Sequence, residues 1–330
     1  MHIAVTGSIA TDHLMHFPGR FTDSLVAGKL DKVSLSFLVD ELEVRRGGIG
    51  ANISFGLGQL GVRSSLVGSV GPDFADYRAW LEGHGVDCES IHVSSRATAR
   101  FVCTTDADHN QIASFYAGAM SESSECRLAP VAERLGGLDL VLIAPDDPAG
   151  MLRHTEECRE RGYAFAADPS QQLARMHRDE VRALVEGATY LFTNEYEAAL
   201  IEQKTGWSAD DLLRRVRTRV TTLGPLGVLV ERLGEPSLRV GTVHVTERVD
   251  PTGVGDGFRS GFLAALSWGL STERACQLGA LVAAHVLETM GTQEYVLDPA
   301  ASLARLSVAF GPEAAAEIGA HLPAVAQPAL

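Results

Sequence analysis

The sequence predicts an α/β protein with a mostly parallel central sheet and a smaller β-rich part inserted in it. Along most of the chain, short apolar runs alternate with segments of helical periodicity, which is the pattern of strands joined by crossover helices. Two segments, 17–43 and 99–119, interrupt this alternation with β-rich sequence. A glycine-rich turn at 250–255 leads into a helical pattern, and ligands of parallel α/β sheets bind beside such turns.

Composition limits the classes of protein that fit. The 330 residues are 45% apolar and 21% charged, as in globular proteins, and can fill one large domain or one domain with a cap. A net charge of −14 argues against nucleic acid or an anionic membrane as a partner, because both would repel the protein. The five cysteines are odd in number and contain no C-x-x-C pair, which predicts neither disulfides nor a zinc site.

We expect a cytoplasmic protein without a membrane partner. The N-terminus has no basic region, and Asp12 interrupts its apolar run, so no signal peptide is predicted. The most apolar internal stretches, 261–270 and 278–287, are shorter than the roughly 20 residues that a membrane-spanning helix needs.

The first predicted element is a buried strand, Ile3 to Val5, which ends in the turn Thr6-Gly7-Ser8. A strand followed by a glycine turn is also how a dinucleotide-binding fold begins, but the G-x-G-x-x-G pattern is absent. Taken by itself, Asp12 after this turn is an ordinary turn residue.

The insertion is predicted from two β-rich segments. Residues 33–39 begin with alternating apolar and polar side chains, and the segments 100–105 and 111–116 flank a polar turn, which predicts a hairpin. Phe101 and Phe115 lie on opposite strands of that hairpin, where they either fill a local core or line an inner surface. We assign residues 1–16, 44–98 and 120–330 to the body and residues 17–43 and 99–119 to the insertion.

The body continues the alternation of strands and helices. Its later strands are predicted at 138–144, 164–168, 189–193, 220–223 and 228–231. Its helices are predicted at 151–161, 178–185, 196–204 and 210–217. The chain is predicted to end in a helix from Ala314 that is followed by a loose segment.

The segment D-P-T-G-V-G-D-G-F from Asp250 is the strongest candidate for a functional site. The proline makes a turn, two glycines let the backbone approach a ligand, and a helix is predicted to begin near Gly255. The unpaired N–H groups and the dipole at that helix end favour an anion such as phosphate. Asp256 is either a charge that stabilises the helix end or a carboxylate that accepts a proton during phosphoryl transfer.

Two further patterns follow predicted strands. Asn194 and Glu197 form N-x-x-E, which by itself is a helix cap. The segment T-T-L-G-P-L-G from Thr221 is, by itself, a β-turn. The sequence has no P-loop and no H-E-x-x-H motif, and His13 and His16 lack a third ligand for a metal.

Together the motifs resemble the signatures of the ribokinase-like, or PfkB, carbohydrate and nucleoside kinases. The segment 250–262 resembles the C-terminal signature, and R-G-G-I-G-A-N at 46–52, followed by two more glycines, resembles the other one. Within the family the chain is most similar to bacterial adenosine kinases, through T-G-S-I-A-T-D-H-L near residue 6, S-L-S-F at 34, I-A-S-F-Y at 112 and D-P-S-Q-Q at 168. Val254 departs from the family's usual small residue, and Gly257 stands where alanine is commoner.

The resemblance implies a ribokinase-like three-layer sandwich whose insertion is a small β-sheet lid over the substrate. It makes Asp256 the catalytic base and the turn at Gly253 and Gly255 the anion hole. It also implies that Asp12 holds the sugar hydroxyls and that the two aromatic residues of the hairpin stack on a planar base. The other positions implied for a nucleoside pocket are Ser8, Ser36, Gly48, Asn52, Met120, Gln171 and Gln172.

The resemblance also implies a site for ATP and Mg²⁺. Glu197 would act on Mg²⁺ through water, since magnesium keeps several of its waters in proteins. The implied nucleotide contacts are Asn194, Thr222, Gly224, Leu226, Gly227 and Gly255. Leu226 stands where the family usually has lysine, which leaves the choice of phosphoryl donor open. Activation by a monovalent cation is left open as well.

We therefore expect an ATP-dependent nucleoside kinase, most similar to adenosine kinase, that phosphorylates the ribose 5′-hydroxyl in purine salvage. A sugar kinase of the ribokinase or fructokinase type is the alternative, and its pocket would need neither the aromatic pair nor the glutamines. A nucleoside-binding sensor without catalysis is a further alternative, which Leu226 keeps open. Asp256 is expected to be ionised at neutral pH because of the helix dipole, and so to be a weak base.

The resemblance finally implies a homodimer that forms lid to lid, with Ser36 lent to the neighbouring pocket. The β-rich segment 34–39 supports a dimer, because an exposed strand edge is prone to aggregation when it stays unpaired.

Overall fold

The structure is a computed structural model that describes residues 1–25, 28, 32 and 34–323. Its strands are β1 (Ile3–Thr6), β2 (Ala10–His16), β3 (Glu41–Gly47), β4 (Ser64–Val67), β5 (Ser69–Val70), β6 (His92–Val93), β7 (Ala99–Thr105), β8 (Gln111–Tyr116), β9 (Leu140–Ile143), β10 (Phe165–Ala167), β11 (Tyr190–Asn194), β12 (Thr218–Thr222), β13 (Val228–Glu231) and β14 (Leu238–Val240). Its α-helices are α1 (Ile49–Gln59), α2 (Ala75–Gly83), α3 (Ala129–Leu135), α4 (Pro148–Arg161), α5 (Arg178–Val185), α6 (Glu195–Thr205), α7 (Ala209–Leu213), α8 (Val254–Ser267), α9 (Thr272–Leu287), α10 (Pro299–Phe310) and α11 (Pro312–Gly319). Short 3₁₀ helices cover Phe21–Ser24, Gly118–Glu125, Ser170–Ala174 and Gly224–Leu226.

The large sheet has eight strands in the order β14-β13-β12-β11-β10-β9-β1-β4. All neighbours from β4 to β12 pair in parallel, and β13 and β14 extend that edge as antiparallel strands. The prediction of a mostly parallel central sheet is therefore confirmed. In such a sheet the carboxyl ends of the parallel strands share one edge, and this edge is where side chains from distant parts of the chain can meet.

Helices cover both faces of the large sheet, and each face has its own apolar core. Ile3 and Val5 of β1 pack in one core with α1, α8 and α9, whereas Ala4 between them packs in the other core with α4, α5 and α6. Both faces of the strands are buried, which explains why these strands are continuous apolar runs rather than alternating ones. The result is the three-layer sandwich that the resemblance implied.

A second sheet of four strands lies in the order β3-β2-β7-β8. The strands β2 and β7 pair in parallel, and the two outer pairs are antiparallel. The predicted hairpin is confirmed: β7 and β8 flank the polar turn, and Phe101 lies directly opposite Phe115. A third, two-stranded sheet pairs β5 with β6 in parallel.

The segment predicted to be β-rich before β3 is not a strand in residues 34–39, and Val33 lies outside the described residues. Phe37 instead packs against Phe17 and Phe21, with ring centroids 4.8 and 4.9 Å apart. Its neighbour Leu38 is 88% exposed. The apolar residues of this segment were predicted to form a strand face, but an aromatic cluster partly covers one of them, Phe37, without any strand pairing.

The small sheet also extends beyond the predicted insertion. β2 and the end of β3 lie in stretches that were assigned to the body, and they pair over all seven residues from Ala10 opposite Gly47 to His16 opposite Glu41. The chain thus passes from β1 of the large sheet into the small sheet after only the turn at Gly7. Helix α7 ends at Leu213 rather than at 217, since β12 already begins at Thr218.

Within the described ranges, no helix is both long and apolar enough to span a membrane. All five cysteines are buried free thiols.

Candidate active site

A cavity of about 910 Å³ lies between the carboxyl ends of the large sheet and the small sheet. The predicted site residues in its lining are Ser8, Asp12, Gly48, Asn52, Phe101, Phe115, Met120, Gln171, Gln172, Asn194, Glu197, Thr222, Gly253, Gly255 and Asp256. They are spread over the sequence from Ser8 to Asp256, and they meet because the parallel strands end at the same edge of the large sheet, which the small sheet covers.

A second cavity of about 660 Å³ adjoins the first and shares Thr222 and Gly255 with it. Its other predicted lining residues are Gly224 and Gly227. Most of its remaining wall is apolar and is formed by Val243, Phe258, Ala280, Ala283 and Leu287. This wall was not predictable from the sequence, because apolar residues at helical spacing on α9 have the same pattern whether they face the core or a cavity.

Two predicted site residues line neither cavity. Ser36 is exposed in the segment before β3. Leu226 is 75% exposed at the end of its 3₁₀ helix. Neither side chain can contact a ligand inside this chain's cavities without a change of structure or a second chain.

The turn before α8 needs its glycines. Gly253 is the N-cap of α8 and has a φ of +75°, and a Cβ there would lie 2.8 Å from Thr292 Cγ2. A Cβ on Gly255 would lie 2.9 Å from Arg259 Nη1. Asp250 holds the turn, since its Oδ1 accepts from Thr252 N at 2.9 Å and its Oδ2 accepts from Gly291 N at 3.2 Å. The N-terminus of α8 therefore lies against the cavity at Gly253 and Gly255, beside a turn that side-chain hydrogen bonds hold in place.

Asp256 is in the first turn of α8, where its Oδ2 accepts a hydrogen bond from Asn52 Nδ2 at 2.9 Å. Surrounding protein atoms desolvate its carboxylate and raise its pKa to about 7, although the Asn52 hydrogen bond and Arg259 act to lower that pKa. The sequence predicted that the helix dipole keeps Asp256 ionised at neutral pH, but with this pKa the carboxylate is only partly ionised there, because burial disfavours its charged form. A carboxylate with this pKa is a better proton acceptor than the weak base expected.

Arg259 and Asp168 form a buried ion pair that the sequence did not predict. Arg259 Nη2 donates to Asp168 Oδ1 at 2.7 Å, Arg259 Nη1 donates to Gly255 O at 3.0 Å, and the guanidinium lies over the ring of Phe192 at 5.5 Å. Removing one partner of such a pair typically costs about 3–5 kcal/mol, because the other charge stays buried and unpaired. The position of Arg259, three residues after Asp256 on the same helix, is the signal that was available in the sequence.

Two residues of the segment between α9 and α10 hydrogen-bond to Asn52 of α1. Its Oδ1 accepts hydrogen bonds from Thr292 Oγ1 and Gln293 Nε2, both at 2.9 Å. The Asn52 amide oxygen is thereby occupied, so toward Asp256 and toward a ligand this side chain can only donate.

Asp12 faces the cavity from β2, where it is paired with Arg45 on one side and with Phe101 on the other. Burial raises its pKa to about 6, Arg45 acts to lower that pKa, and Asp250 acts to raise it. Nearby, Gly48 has a φ of +92°, and a Cβ there would lie 2.6 Å from the backbone atoms Ser8 O and Ala10 N. Ser8 links the turn after β1 to the start of α1, since its Oγ accepts a hydrogen bond from Ile49 N at 3.1 Å.

The small sheet contributes an aromatic wall. Phe101 is half-buried, and Phe115 beside it is 53% exposed on the face that lines the cavity. Met120 beneath them is buried. Across the cavity, Gln172 Oε1 is buried and has no hydrogen-bond partner in the part of the chain that the structure describes. An unpaired buried acceptor opposite an aromatic wall fits a planar ligand that carries a hydrogen-bond donor on its edge.

Asn194 and Glu197 form the reciprocal cap that their spacing predicts. Glu197 N donates to Asn194 Oδ1 and Asn194 N donates to Glu197 Oε2, both at 2.8 Å, and both side chains also line the cavity. Burial raises the pKa of Glu197, and Asp168 acts in the same direction. A partly buried carboxylate beside a second carboxylate fits a hydrated divalent cation, whose charge would offset both effects.

The family model and the known proteins that are similar to this chain agree on one family. A family model described as pfkB family carbohydrate kinase matches residues 7–299. The chain is similar to a nucleoside kinase of Methanothermobacter thermautotrophicus, with 29% identity over 321 residues that cover 94% of this chain and 97% of the relative. It is also similar to the solved structure of Burkholderia thailandensis nucleoside kinase in complex with inosine, with 33% identity, a TM-score of 0.80 and coverage of 94% and 98%. The structure of that kinase in complex with ADP-inosine gives 34% identity, a TM-score of 0.79 and coverage of 94% and 96%.

Proposed function

We propose, from the premise that the chain belongs to the pfkB family of carbohydrate kinases, that it transfers the γ-phosphoryl group of ATP to the ribose 5′-hydroxyl of a purine nucleoside, with adenosine as the first candidate. Family membership makes it a phosphotransferase with an alcohol group as acceptor. Similarity over nearly the whole chain to nucleoside kinases supports a nucleoside rather than a bare sugar. The inosine complex of one relative supports a purine base.

The observation that carries this proposal is the junction of the two cavities. They share Thr222 and Gly255, and Asp256 lines the first cavity next to that shared wall. A nucleoside in the first cavity and a nucleotide in the second would bring the 5′-hydroxyl and the γ-phosphate together at the N-terminus of α8. This arrangement supports direct transfer between two bound substrates.

On the acceptor side, each group has a separate task. The Asp12 carboxylate accepts hydrogen bonds from the ribose hydroxyls, and the free N–H of Asn52 donates to the ribose. Phe101 and Phe115 stack on the base, and Gln172 Oε1 accepts from a donor on the purine edge. Adenine offers such a donor on its amino group and hypoxanthine offers one on a ring nitrogen, so this contact admits both. A bare sugar would leave the aromatic wall unused.

Asp256 takes the hydroxyl proton as the new bond to phosphorus forms. Its pKa of about 7 lies near the working pH, where a general base combines adequate strength with a populated ionised form. The amides of Gly253 to Gly255 and the positive guanidinium of Arg259 then stabilise the negative charge that develops on the transferred group.

On the donor side, the apolar wall of the second cavity holds the nucleotide base, and Asn194 and Thr222 face the phosphates. Glu197 would hold Mg²⁺ through water, and the ion would offset the charge of the donor phosphates. Leu226 is exposed and supplies no cation, so donor recognition rests on the backbone of the turn Gly224–Gly227 and on the apolar wall.

A panel assay tests the proposal. The purified protein is incubated with Mg²⁺ and ATP together with adenosine, inosine, cytidine, ribose or fructose, and both ADP and the phosphorylated acceptor are measured. We expect the highest kcat/KM with a purine nucleoside. The Asp256→Asn variant should bind nucleoside normally but lose about 10²–10⁴ in kcat, the usual worth of a positioned acid–base group. Highest kcat/KM with a sugar would favour the sugar kinase, and nucleoside binding without any turnover would favour a sensor.

We further propose that the protein is a homodimer joined through its small sheets. The sheet face opposite the cavity carries the exposed apolar residues Leu42, Val44, Ile112 and Tyr116. Burying this face against a second copy would remove these exposed apolar side chains, on the two outer strands of the sheet, from water. In such a dimer, Ser36 would reach the partner's pocket rather than its own.

A further inference from the structure

Gln293 is a buried residue that lines neither cavity but is hydrogen-bonded to Asn52, which does. It is 1% exposed and follows Thr292 in the segment after α9. Its Nε2 donates to Asn52 Oδ1 at 2.9 Å, and Asn52 Nδ2 donates to Asp256 Oδ2 at 2.9 Å. One side chain therefore separates Gln293 from the carboxylate that we assign as the base.

The direction of this chain of hydrogen bonds is fixed at its far end. Trp80 Nε1 donates to Gln293 Oε1 at 3.2 Å, and an indole N–H has no acceptor lone pair. The oxygen of the Gln293 amide must therefore face Trp80, and its nitrogen must face Asn52. It follows that the oxygen of the Asn52 amide faces Gln293 and that its nitrogen faces Asp256.

Of the other neighbours of these two amides, Tyr77 fixes the same direction and Thr292 does not. Thr292 Oγ1 lies 2.9 Å from Asn52 Oδ1 and 3.2 Å from Arg46 O, and its single hydrogen can serve only one of them. The Tyr77 hydroxyl donates its single hydrogen to Gly47 O at 2.9 Å and can therefore only accept from Gln293, whose Nε2 must face it.

We propose that Gln293 is a positioning residue for the phosphoryl-transfer reaction, which keeps an Asn52 N–H directed at Asp256 and thereby favours the ionised form of the base. The inference rests on the proposed function. An Asn52 amide turned by half a rotation would present its oxygen to Asp256, and a carboxylic acid facing a carbonyl oxygen keeps its proton in order to donate it.

The other charged and titratable groups around Asp256 do not depend on Gln293. They are Arg259 on the same helix, Asp168 at the end of β10, and the hydroxyl of Tyr295. Because Gln293 hydrogen-bonds to Asn52, Trp80 and Tyr77 and to none of these groups, we expect a shift in the titration of Asp256 to come through Asn52.

The test compares Gln293→Met with Gln277→Met. Both replace a buried glutamine by a side chain of similar size without hydrogen-bonding groups, and Gln277 bonds to Arg274 on the far side of the body. Purine nucleoside kcat/KM is measured against pH. A hydrogen bond to an ionised group is worth about one to two pKa units, so Gln293→Met should move the ionisation near pH 7 upward by about one unit, with about a fivefold loss at pH 7 that is recovered at higher pH. Gln277→Met should leave the midpoint unchanged.

A second readout does not require turnover. The carboxyl ¹³C resonance of Asp256, identified by its loss in Asp256→Asn, is titrated by NMR in the unmodified protein and in Gln293→Met. An upward shift of the midpoint supports the proposal even if no acceptor is found, which would count only against the proposed function. An unchanged midpoint, or an equal loss of kcat/KM at every pH, overturns it. If Gln293→Met does not fold, the double variant Trp80→Phe with Tyr77→Phe removes both groups that fix the direction of the Gln293 amide and should shift the midpoint the same way.

Discussion

Asp256 and Asp12 are two carboxylates whose surroundings raise their pKa values into the range of ordinary assay conditions. Asp256 lies in the first turn of α8 with a pKa of about 7, and Asp12 lies on β2 with a pKa of about 6. Burial is the main cause for both, and neither forms an ion pair short enough to offset it. Proton uptake by these two groups should therefore be visible in the kinetics.

The expected pH profile follows from the sign of the two shifts. Both carboxylates act in ionised form, so kcat/KM for the nucleoside, which reports the free protein, should rise with pH and level off above about 7. Between pH 6 and 7 it should fall by about tenfold per unit, and below pH 6, where both groups are protonated, by about a hundredfold per unit. Asp12→Asn should remove the lower ionisation and keep the upper one. A profile that is flat from about pH 5 to 8 would contradict both assignments.

A substitution of Phe101 tests the role of the aromatic wall separately from the catalytic residues. Phe101→Ala should raise the nucleoside KM by about tenfold or more, because stacking on an aromatic side chain is worth about 1–3 kcal/mol per base. The KM for ATP should change little. Val102→Ala is the matched control, since Val102 follows on the same strand with its side chain on the opposite face. Equal increases in both KM values would rule out stacking.

Residues of the site were predictable where the sequence is locally unusual, and not where a pair forms across the fold. The glycine turn with Asp256 is recognisable because Gly253 and Gly255 precede this carboxylate within three positions. Arg259 bonds to Asp168 over 91 residues, and Gln293 bonds to Asn52 over 241 residues. The spacing of Arg259 from Asp256 indicates a residue near the site, but no local pattern indicates Asp168 as its partner, and Gln293 lies in ordinary loop sequence.

At the scale of elements, helix α8 begins after a glycine with a positive φ, and most of its residues are buried. It begins directly after Gly253 in the left-handed region and ends before Gly269, which also has a positive φ of +78°. The two glycines differ in their surroundings: a Cβ at 253 would contact Thr292, and a Cβ at 269 would meet nothing within 4 Å. The same helix thus provides a test position and its control.

Gly253→Ala and Gly269→Ala separate backbone strain from function. A left-handed alanine costs about 1–2 kcal/mol, so both variants should lose about that much free energy of unfolding, measured by urea denaturation. Only Gly253→Ala should also lower kcat, because displacing Thr292 or the turn moves the N–H groups that face the phosphoryl group. If both variants lose kcat to the same degree, the effect comes from stability and the anion site lies elsewhere.

Elements of the body were predictable because their burial leaves a periodic pattern. The strand at Val228–Glu231 and the helix at Arg178–Val185 have the bounds that the sequence predicts. The segment 34–39 was not predictable, because alternation of apolar residues fits either a strand or a loop whose aromatic side chain joins a local cluster, as Phe37 does. The sequence pattern of the segment does not show that Phe17 and Phe21 lie next to Phe37 in the fold.

At the scale of the whole molecule, the small sheet covers the active-site cavity with one face and leaves an apolar face outside. A sheet with two such faces suits a protein in which a second copy covers the outer one. The family was predictable from two signatures about 200 residues apart, whereas the outer face became visible only when the register of β2, β3, β7 and β8 was known.

The dimer can be tested by charge substitution on that face. Light scattering at micromolar concentration should give twice the mass of the chain for the unmodified protein. Leu42→Glu should give the mass of a single chain, because it would bury an unpaired carboxylate in the interface. Val308→Glu is the control, since Val308 is equally apolar and 86% exposed on α10. A single-chain mass for the unmodified protein would exclude the proposed dimer at this concentration.

The wall that the two cavities share at Thr222 and Gly255 also bears on inhibitor design. A nucleoside tethered through its 5′-oxygen to a nucleotide by a chain of phosphates could fill both cavities as one bisubstrate molecule. Once one end is seated, the other is held at a millimolar effective concentration, and the tethered molecule gains about 10²–10⁴ over either half. A tether too short to pass the turn at Gly253 would not give this increase in affinity. The affinities of a series with different phosphate chain lengths would therefore report the distance between the two sites.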